Sequence, residues 1–534
     1  MLVRPMRRLL RGVLPLLTCL LLLAAGAQAR VVVVGVDGAG FTALDPLLAE
    51  GVLPNLQALM ERGVHAELAT VEPVNSPTVW TSIATGRRPD VHGITDFLKD
   101  ARNVRVPTLF ERLAVQGLRV GTYDYLMTWP PRALPGGFVI PGWMRRDDAT
   151  APPDALTRHG GPGYRYALRG IFGRVAYAAN VRRELAEKPV QWRALWDGFA
   201  PDVGAVTFYA VDAASHRFFA DAHPDEFEPG SVPEPDPAYA GLIREAFLGI
   251  DAAVGEIAAG LDPDDALLVV SDHGFQAEEG FRRVWSGRFD DALARADLVP
   301  GRDAFSVEGQ FAYVFVRVHP GPFAEREALT DRLAAFFREA ATPAGEPLFT
   351  VELLDVAPRP SEAARPWTGR LRQWGLRLLM EHVFSVHLST DAHAFLLMRP
   401  DHDALESVWP GGRVRVAGRE IPVERVIDGD GFTGRHHPTA LFVAAGGALR
   451  AIPERGRLSV LDVAPLVAYL AGAAIPDDLE GTLPRDWLEP AVLAERPPRT
   501  VAARSLPRLP DPEAPPPGFD RERLEQLRSM GYLE

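Results

Sequence analysis

Three apolar runs in this chain end in the same way. Val31 to Val36 leads into Asp37, Val203 to Tyr209 into Ala-Val-Asp212, and Ala266 to Val270 into Ser271-Asp272. Each run is too short to cross a membrane, and β-branched residues are prominent, as in parallel strands buried on both faces. Two of the aspartates are closely followed by a histidine, His216 and His273. In open α/β sheets, ligands gather outside the carboxyl ends of the strands. Three acids delivered to one edge therefore predict an α/β fold with a doubly wound, mostly parallel central sheet, helices on both faces and a ligand site at that edge.

Around Asp37, Gly35, Gly38 and Gly40 let the backbone turn sharply and approach a ligand closely. Further along, Asn75-Ser76-Pro77-Thr78 precedes a helical pattern from Val79 to Ala84, closed by Thr85-Gly86. Ser76 has two readings. It suits an N-cap, or it is a nucleophile facing a metal at a helix N-terminus, where the dipole favours a bound anion. Asp212 and His216 are four apart and share one face of a helix. Asp37, Asp272 and His273 with Ser76 make one set of oxygen and nitrogen ligands. Asp212, His216 and His436, the last from Gly434-Arg435-His436-His437-Pro438, make a second. Carboxylate and imidazole ligands suit zinc. Two metals can clamp the attacking and leaving oxygens of an in-line displacement at phosphorus.

Residues 1–29 read as a signal peptide: Arg4, Arg7, Arg8 and Arg11, then LLTCLLLLAAG, then Ala27-Gln28-Ala29 as a small-residue cleavage site. Its apolar run is shorter than the roughly 20 residues a spanning helix needs, so cleavage leaves no membrane span. The expectation is an exported protein, periplasmic or secreted. The chain's single cysteine, Cys19, lies in this segment, so disulfides and thiolate chemistry are excluded from the mature protein. Losing four Arg and no acid takes the net charge from −13 to about −17, which speaks against a nucleic-acid-binding surface. An acidic enzyme still binds phosphate esters when metal ions supply the positive charge.

The rest of the chain continues the alternation. Val106 to Gln116 and Pro237 to Leu261 have helical spacing, as do Phe323 to Ala341 and Arg370 to Phe384; Leu118 to Tyr123, Glu308 to Val318 and Ala440 to Ala444 read as strands. Leu458 to Leu470 reads as an amphipathic helix. Arg370 to Phe384 is a buried or capping helix in preference to one resting on a membrane, since basic residues do not dominate it. Two stretches, about 130–190 and 276–430, read as cap insertions in a catalytic domain spanning 30–490. The first carries Tyr164, Arg165, Tyr166, Arg169, Arg174, Tyr177, Arg182 and Arg183, either a solvated helix face or a cap over the site. Residues 491–534 read as a tail and terminal helix, with Pro-rich 496–518 an extended linker or wrapped segment.

With these pieces in place, the sequence resembles the alkaline phosphatase superfamily, in its type I phosphodiesterase/nucleotide pyrophosphatase branch. VVVGVDG, PNLQALMERGV, SPTVWTSIATGRRPDVHGI, YAVDAASH, VVSDHGF and GRHHP carry the resemblance, with LDVAPLVAYLAGAAIPDDLEG and LRSMGYLE near the end. It implies a metal-dependent phosphoric ester hydrolase, two divalent metals, usually zinc, and a transiently esterified Ser or Thr. By position that residue is Ser76, with Thr78 in reserve. His436 is preferred to His437, because the family places its ligand just before a variable residue and a Pro. The x-P-x-R pattern of sulfatases is absent after Ser76, which disfavours sulfate esters. Asp96 stands where relatives have an Asn that donates to the phosphate, and Asn75 is the candidate substitute donor. A phosphodiester is the expected substrate. The alternatives are a phosphomonoesterase, a phosphotransferase, or a binding protein that kept the fold and lost the chemistry.

Overall fold

The computed structural model describes residues 29–511, apart from 98, 146–147, 160–162, 167–172, 288, 301, 312, 356–392 and 410. The expected signal peptide up to residue 28, the Arg370 to Phe384 segment and the expected terminal helix lie outside the described residues. So does the part of the tail beyond 511.

An eight-stranded sheet forms the centre. Its strands are β1 (Val31–Val36), β2 (Val64–Ala69), β3 (Val120–Tyr125), β4 (Phe138–Pro141), β5 (Val203–Phe208), β6 (Ala266–Val270), β15 (Thr439–Ala445) and β16 (Gly456–Ser459), in the order β16-β2-β15-β6-β1-β5-β3-β4. Seven run parallel, and β15 alone runs against β2 and β6. β1, β5 and β6 are buried along their whole length. That burial explains their uninterrupted apolar sequence.

Two glycines show how both faces are covered. A Cβ at Gly204 of β5 would run into Trp192 and Trp196, whereas one at Gly35 of β1 would meet Trp80 and the side chain of Thr207. Gly35 and Thr207 are register partners, and residue 204 points the other way from 207. Helix α1 (Ser76–Thr85), which carries Trp80, and helix α3 (Gly173–Phe199), which carries the two other tryptophans, therefore lie on opposite faces. Helix α2 (Leu109–Val115) and helix α7 (Val463–Leu470) join α1, while α4 (Ala210–Ala222) and α5 (Leu242–Ala258) join α3.

After β6, strand β7 (Gly274–Gly287) leaves the carboxyl edge and pairs antiparallel with β14 (Ile427–His437). Between these two strands the chain builds a second core. β8 (Phe305–Phe311), β9 (Tyr313–Val318), β10 (Phe349–Asp355) and β11 (Ala394–Pro400) form an antiparallel sheet ordered β10-β11-β9-β8, packed with helix α6 (Phe323–Arg338). A small hairpin, β12 (Arg413–Val416) and β13 (Arg419–Pro422), follows. In the tail, β17 (Ile475–Pro476) pairs with β18 (Thr500–Val501), and Leu509 packs on the main core.

Four expectations need correction. The 130–190 stretch is not wholly an insertion, because β4 is the edge strand of the central sheet. The strand expected over Glu308 to Val318 is two strands, β8 and β9, folded back on each other. The helix expected over Leu458 to Leu470 begins only at Val463, and every residue of it is buried, so it is not amphipathic. Finally, Ser76 is not the N-cap of α1; Asn75 is, with its side chain accepting from the Thr78 N–H.

Candidate active site

Three of the seven parallel strands, β1, β5 and β6, lead into site residues at one edge. Asp37 follows β1, and its backbone N–H donates to the Phe208 carbonyl at the end of β5 (2.9 Å). Asp212 lies in the first turn of α4, with its own N–H donating to the Asp37 carbonyl (3.1 Å). Asp272 and His273 follow β6. Gly38 takes a positive φ of 79° between them, and a Cβ there would meet the Phe275 ring at 2.6 Å and the Asp212 Cα at 3.0 Å. Only glycine allows the three strand ends to close this tightly.

His436 arrives by another route. Because β15 is reversed, its first residue lies at the carboxyl edge, and so does the end of β14 that precedes it. His436 is opposite Phe275 in the β7–β14 ribbon, and His437 is opposite Gly274. The ribbon presses on α4 so closely that a Cβ at Gly434 would meet the Ser215 carbonyl at 2.2 Å. His437 turns back on its own strand, its Nδ1 accepting from the Thr439 N–H (3.2 Å).

The result is two adjacent ligand groups. Asp37, Asp272 and His273 are fully buried, Asp212, His216 and His436 partly so, and within each group the ligating atoms lie within 4.8 Å of one another. All three imidazoles are oriented alike, with Nδ1 against a backbone carbonyl: His216 with Gly434 (3.2 Å), His273 with Gly274 (3.1 Å) and His436 with Val74 (2.9 Å). That arrangement turns every Nε2 toward the centre, in the way a carbonyl on the far ring nitrogen fixes the orientation of a metal-bound imidazole. His216 and His436 then meet Nε2 to Nε2 at 3.0 Å, a contact that a proton or a metal ion between the two nitrogens satisfies.

Ser76, the first residue of α1, places its Oγ 3.4 Å from Asp37 Oδ1 and 3.4 Å from His273 Nε2. Pro77 has no N–H and that of Thr78 is taken by Asn75 Oδ1 (3.1 Å), so the helix offers an anion its dipole and the Ser76 amide. Thr78 is buried with its hydroxyl donating to Asn75 Oδ1 (2.7 Å), away from both ligand groups. The Asn75 amide nitrogen donates to the Thr95 carbonyl (3.2 Å), which occupies the donor expected for the phosphate. Asp96 is 41% exposed and sits 3.2 Å from Lys99 Nζ.

The electrostatics ask for cations. Burial, then the charges of Asp272 and Asp212, push the Asp37 carboxyl well above the usual range. Burial and Asp212 push Asp272 up to about 7. Burial, then His436, holds His273 well below an ordinary imidazole, and burial also lowers His216. For Asp212 burial is outweighed by His216 and His436, which hold it low; for His436 burial is outweighed by Asp212, which holds it high. Asp212 Oδ1 and Asp272 Oδ2 are buried without a hydrogen-bond partner. Orphaned carboxylate oxygens beside inward-facing imidazole nitrogens fit divalent metal ions.

Sequence reasoning missed Trp80. Its indole Nε1 donates to Asp37 Oδ2 (3.0 Å) from the buried core of α1. The signal was available, since Ser76 and Trp80 are four apart on one helix and must share a face.

Fold and site together define an alkaline phosphatase-like α/β hydrolase of phosphoric esters. The chain belongs to the type I phosphodiesterase / nucleotide pyrophosphatase family, whose pattern residues 31–321 match; the family lies within the alkaline phosphatase superfamily and is metal-dependent. No curated protein matches the chain.

Proposed function

We propose that the protein is an exported phosphodiesterase that uses two divalent metals, zinc by the chemistry of the donors, and a Ser76 phospho-enzyme intermediate. The observation that carries this reading is the position of Ser76 Oγ, 3.4 Å from both Asp37 and His273 at the head of α1. Asp37, Asp272, His273 and Ser76 would hold one ion, and Asp212, His216 and His436 the other. Bound there, the ions would lower the pKa of the Ser76 hydroxyl and neutralise charge on the phosphoryl oxygens.

Ser76 Oγ then attacks phosphorus as the bond to the leaving alcohol breaks on the opposite side. Water attacks the serine ester in a second displacement, which releases a phosphate monoester and restores Ser76. Asp37 and His273 keep the nucleophile aimed, and the α1 dipole favours the anionic phosphoryl group. Export is supported by the charge, apolar run and cleavage pattern of residues 1–29. Among the described residues no helix is long and apolar enough to cross a membrane.

The test is a screen of nitrophenyl mono- and diesters of phosphate, phosphonate and sulfate on the metal-loaded protein. The expected result is the highest kcat/KM on a phosphate diester. Turnover confined to sulfate esters, or to none of the set, would overturn the reading.

A further inference from the structure

Outside the ligand groups, the same carboxyl edge holds two buried arginines whose ion-pair partner, among the described residues, is one solvent-exposed carboxylate. Arg145 follows β4 by one turn, and Arg165 lies on the segment that packs across the ends of β3 and β4. Their side chains are 11% and 5% exposed. The ion-pair partner they share is Asp148, which is 94% exposed and distant, at 3.8 Å from Arg145 Nε and 3.5 Å from Arg165 Nη1. An ion pair of that kind contributes little. Their other contacts are backbone carbonyls: Arg145 donates to Tyr166, and Arg165 to Pro141 (3.2 Å). Arg165 Nε is buried with no hydrogen-bond partner.

The buried carboxylate nearby, Asp124, acts on Arg165 but offsets the pair only in part. Asp124 gives its Oδ2 to Lys188 Nζ (3.0 Å) and to the Tyr166 N–H (3.0 Å). Two guanidinium groups withdrawn from water side by side are costly unless an anion is held firmly between them, and the Asp148 carboxylate they share is open to solvent. Burial, and then the neighbouring charge of Arg145, pulls Arg165 down to about 10.

The place of the pair relates it to the catalytic groups. β4, β3, β5 and β1 are successive parallel neighbours, so Pro141 and Asp37 lie on one edge. At about 4.8 Å per strand, β4 is roughly 10 Å from β5 and 14 Å from β1. The intervening surface is aromatic. Tyr166, whose carbonyl Arg145 holds, packs its ring 4.9 Å from that of Tyr209, which immediately precedes α4. Trp143 packs on Tyr209 (6.4 Å) and stacks on Phe97 (6.1 Å).

We propose that Arg145 and Arg165 form a second anion site of the catalytic cleft. It receives a phosphate-type group carried by the substrate some 10–14 Å from the phosphorus under attack. The substrate class is then a diester whose alcohol bears a further anionic phosphoryl group, held by the paired donors of the guanidinium forks. This deepens the phosphodiesterase reading and rests on it.

The test uses metal-loaded protein and 4-nitrophenyl alkyl phosphates with two to eight methylenes, each chain ending either in a phosphonate or in a methyl group. The expected result is a length optimum at which the phosphonate-ended ester has at least tenfold higher kcat/KM than its methyl-ended partner. The gain should lie in KM and shrink with added salt. In Arg145→Gln and Arg165→Met the ratio should fall toward one, with Arg145→Lys intermediate, and thermal melts should show that each variant is folded. Should Arg165→Met not fold, Arg145→Gln, nearer the rim, carries the comparison. Equal rates for both chain ends at every length, or a preference unchanged in the variants, would overturn the proposal. If neither ester is hydrolysed, the phosphodiesterase reading fails by itself. Calorimetric titration with hexane-1,6-diyl bisphosphonate against hexylphosphonate then decides the anion site, through a tenfold preference for the bisphosphonate that Arg145→Gln removes, or the absence of one.

Discussion

Lys188 Nζ lies 3.0 Å from Asp124 Oδ2, with neither side chain exposed to solvent. Lys188 also pairs with Glu184 and donates to the Thr207 carbonyl (2.6 Å), while Glu184 accepts the Tyr209 N–H (3.0 Å). The cluster fastens α3 to the corner where β5 turns into α4. Removing one member of a buried set of charges leaves the others uncompensated and costs about 3–5 kcal/mol. Lys188→Met should lower the unfolding free energy by that amount in urea titrations, and Lys188→Met with Glu184→Gln should recover part of it. A single variant as stable as the wild type would show that the charges are not held by Lys188.

The indole of Trp80 orients Asp37 from behind. Trp80→Phe keeps most of the packing and removes the hydrogen bond to Asp37 Oδ2. Loss of such an outer partner weakens metal binding by about 10–100-fold. Competition with a chelator, followed by metal analysis, should show that loss. Unchanged affinity would mean that Asp37 is positioned by other contacts.

Ser76→Ala should abolish turnover while the protein still binds two divalent ions, and Thr78→Ala should stay active, since the Thr78 hydroxyl donates to Asn75. Elemental analysis together with nitrophenyl release reads both. A dead Thr78→Ala with an active Ser76→Ala would reverse the assignment.

Asp96 pairs with Lys99 at a half-exposed position. Asp96→Asn should therefore change kcat/KM for mono- and diesters by the same factor, within about twofold, because a screened surface charge contributes well under 1 kcal/mol. A larger gain for monoesters would place the carboxylate in the phosphate pocket.

His92 is buried, with Nε2 against Ser82 Oγ (2.9 Å) and Nδ1 accepting the Ile94 N–H (3.1 Å). Burial lowers it to about 4 from its ordinary 6.5. The unfolded chain takes up this proton first, so the stability from a neutral His92 is complete above pH 6.5. It declines as pH falls from 6.5 to 4, by up to about 3 kcal/mol. In His92→Gln that part of the pH dependence should vanish from urea titrations over the same range.

The fold class was legible because β1, β5 and β6 are buried on both faces and each ends in a polar residue that has nowhere to go but the edge. That Asp37, Asp272 and His273, and Asp212, His216 and His436, come together was legible for the same reason, and because Asp212 and His216 share a helix face. The direction of β15 was not. A strand buried on both sides reads the same in either direction, and only its neighbours β2 and β6 determine which way it runs. The roles of Asn75 and Trp80 were hidden because Ser76 suits an N-cap as well as Asn75 does, and because a Trp inside an apolar helical run gives no sign of where its indole N–H points. The 130–190 segment misled because a four-residue edge strand, β4, carries too little periodicity to separate from loop.

The place of β15 also governs the timing of assembly. It lies between β2, made early, and β6, and both strands that flank β2 in the sheet, β15 and β16, are encoded from residue 439 onward. At about 5–20 residues per second, the edge of β2 waits on the order of 20–80 s for its partner after leaving the ribosome. Through that interval an unpaired strand with one apolar face is exposed to every other chain nearby. A nascent chain of this protein halted just short of Thr439 should therefore bind holding chaperones and be cut by protease, whereas one released after Ser459 should resist both.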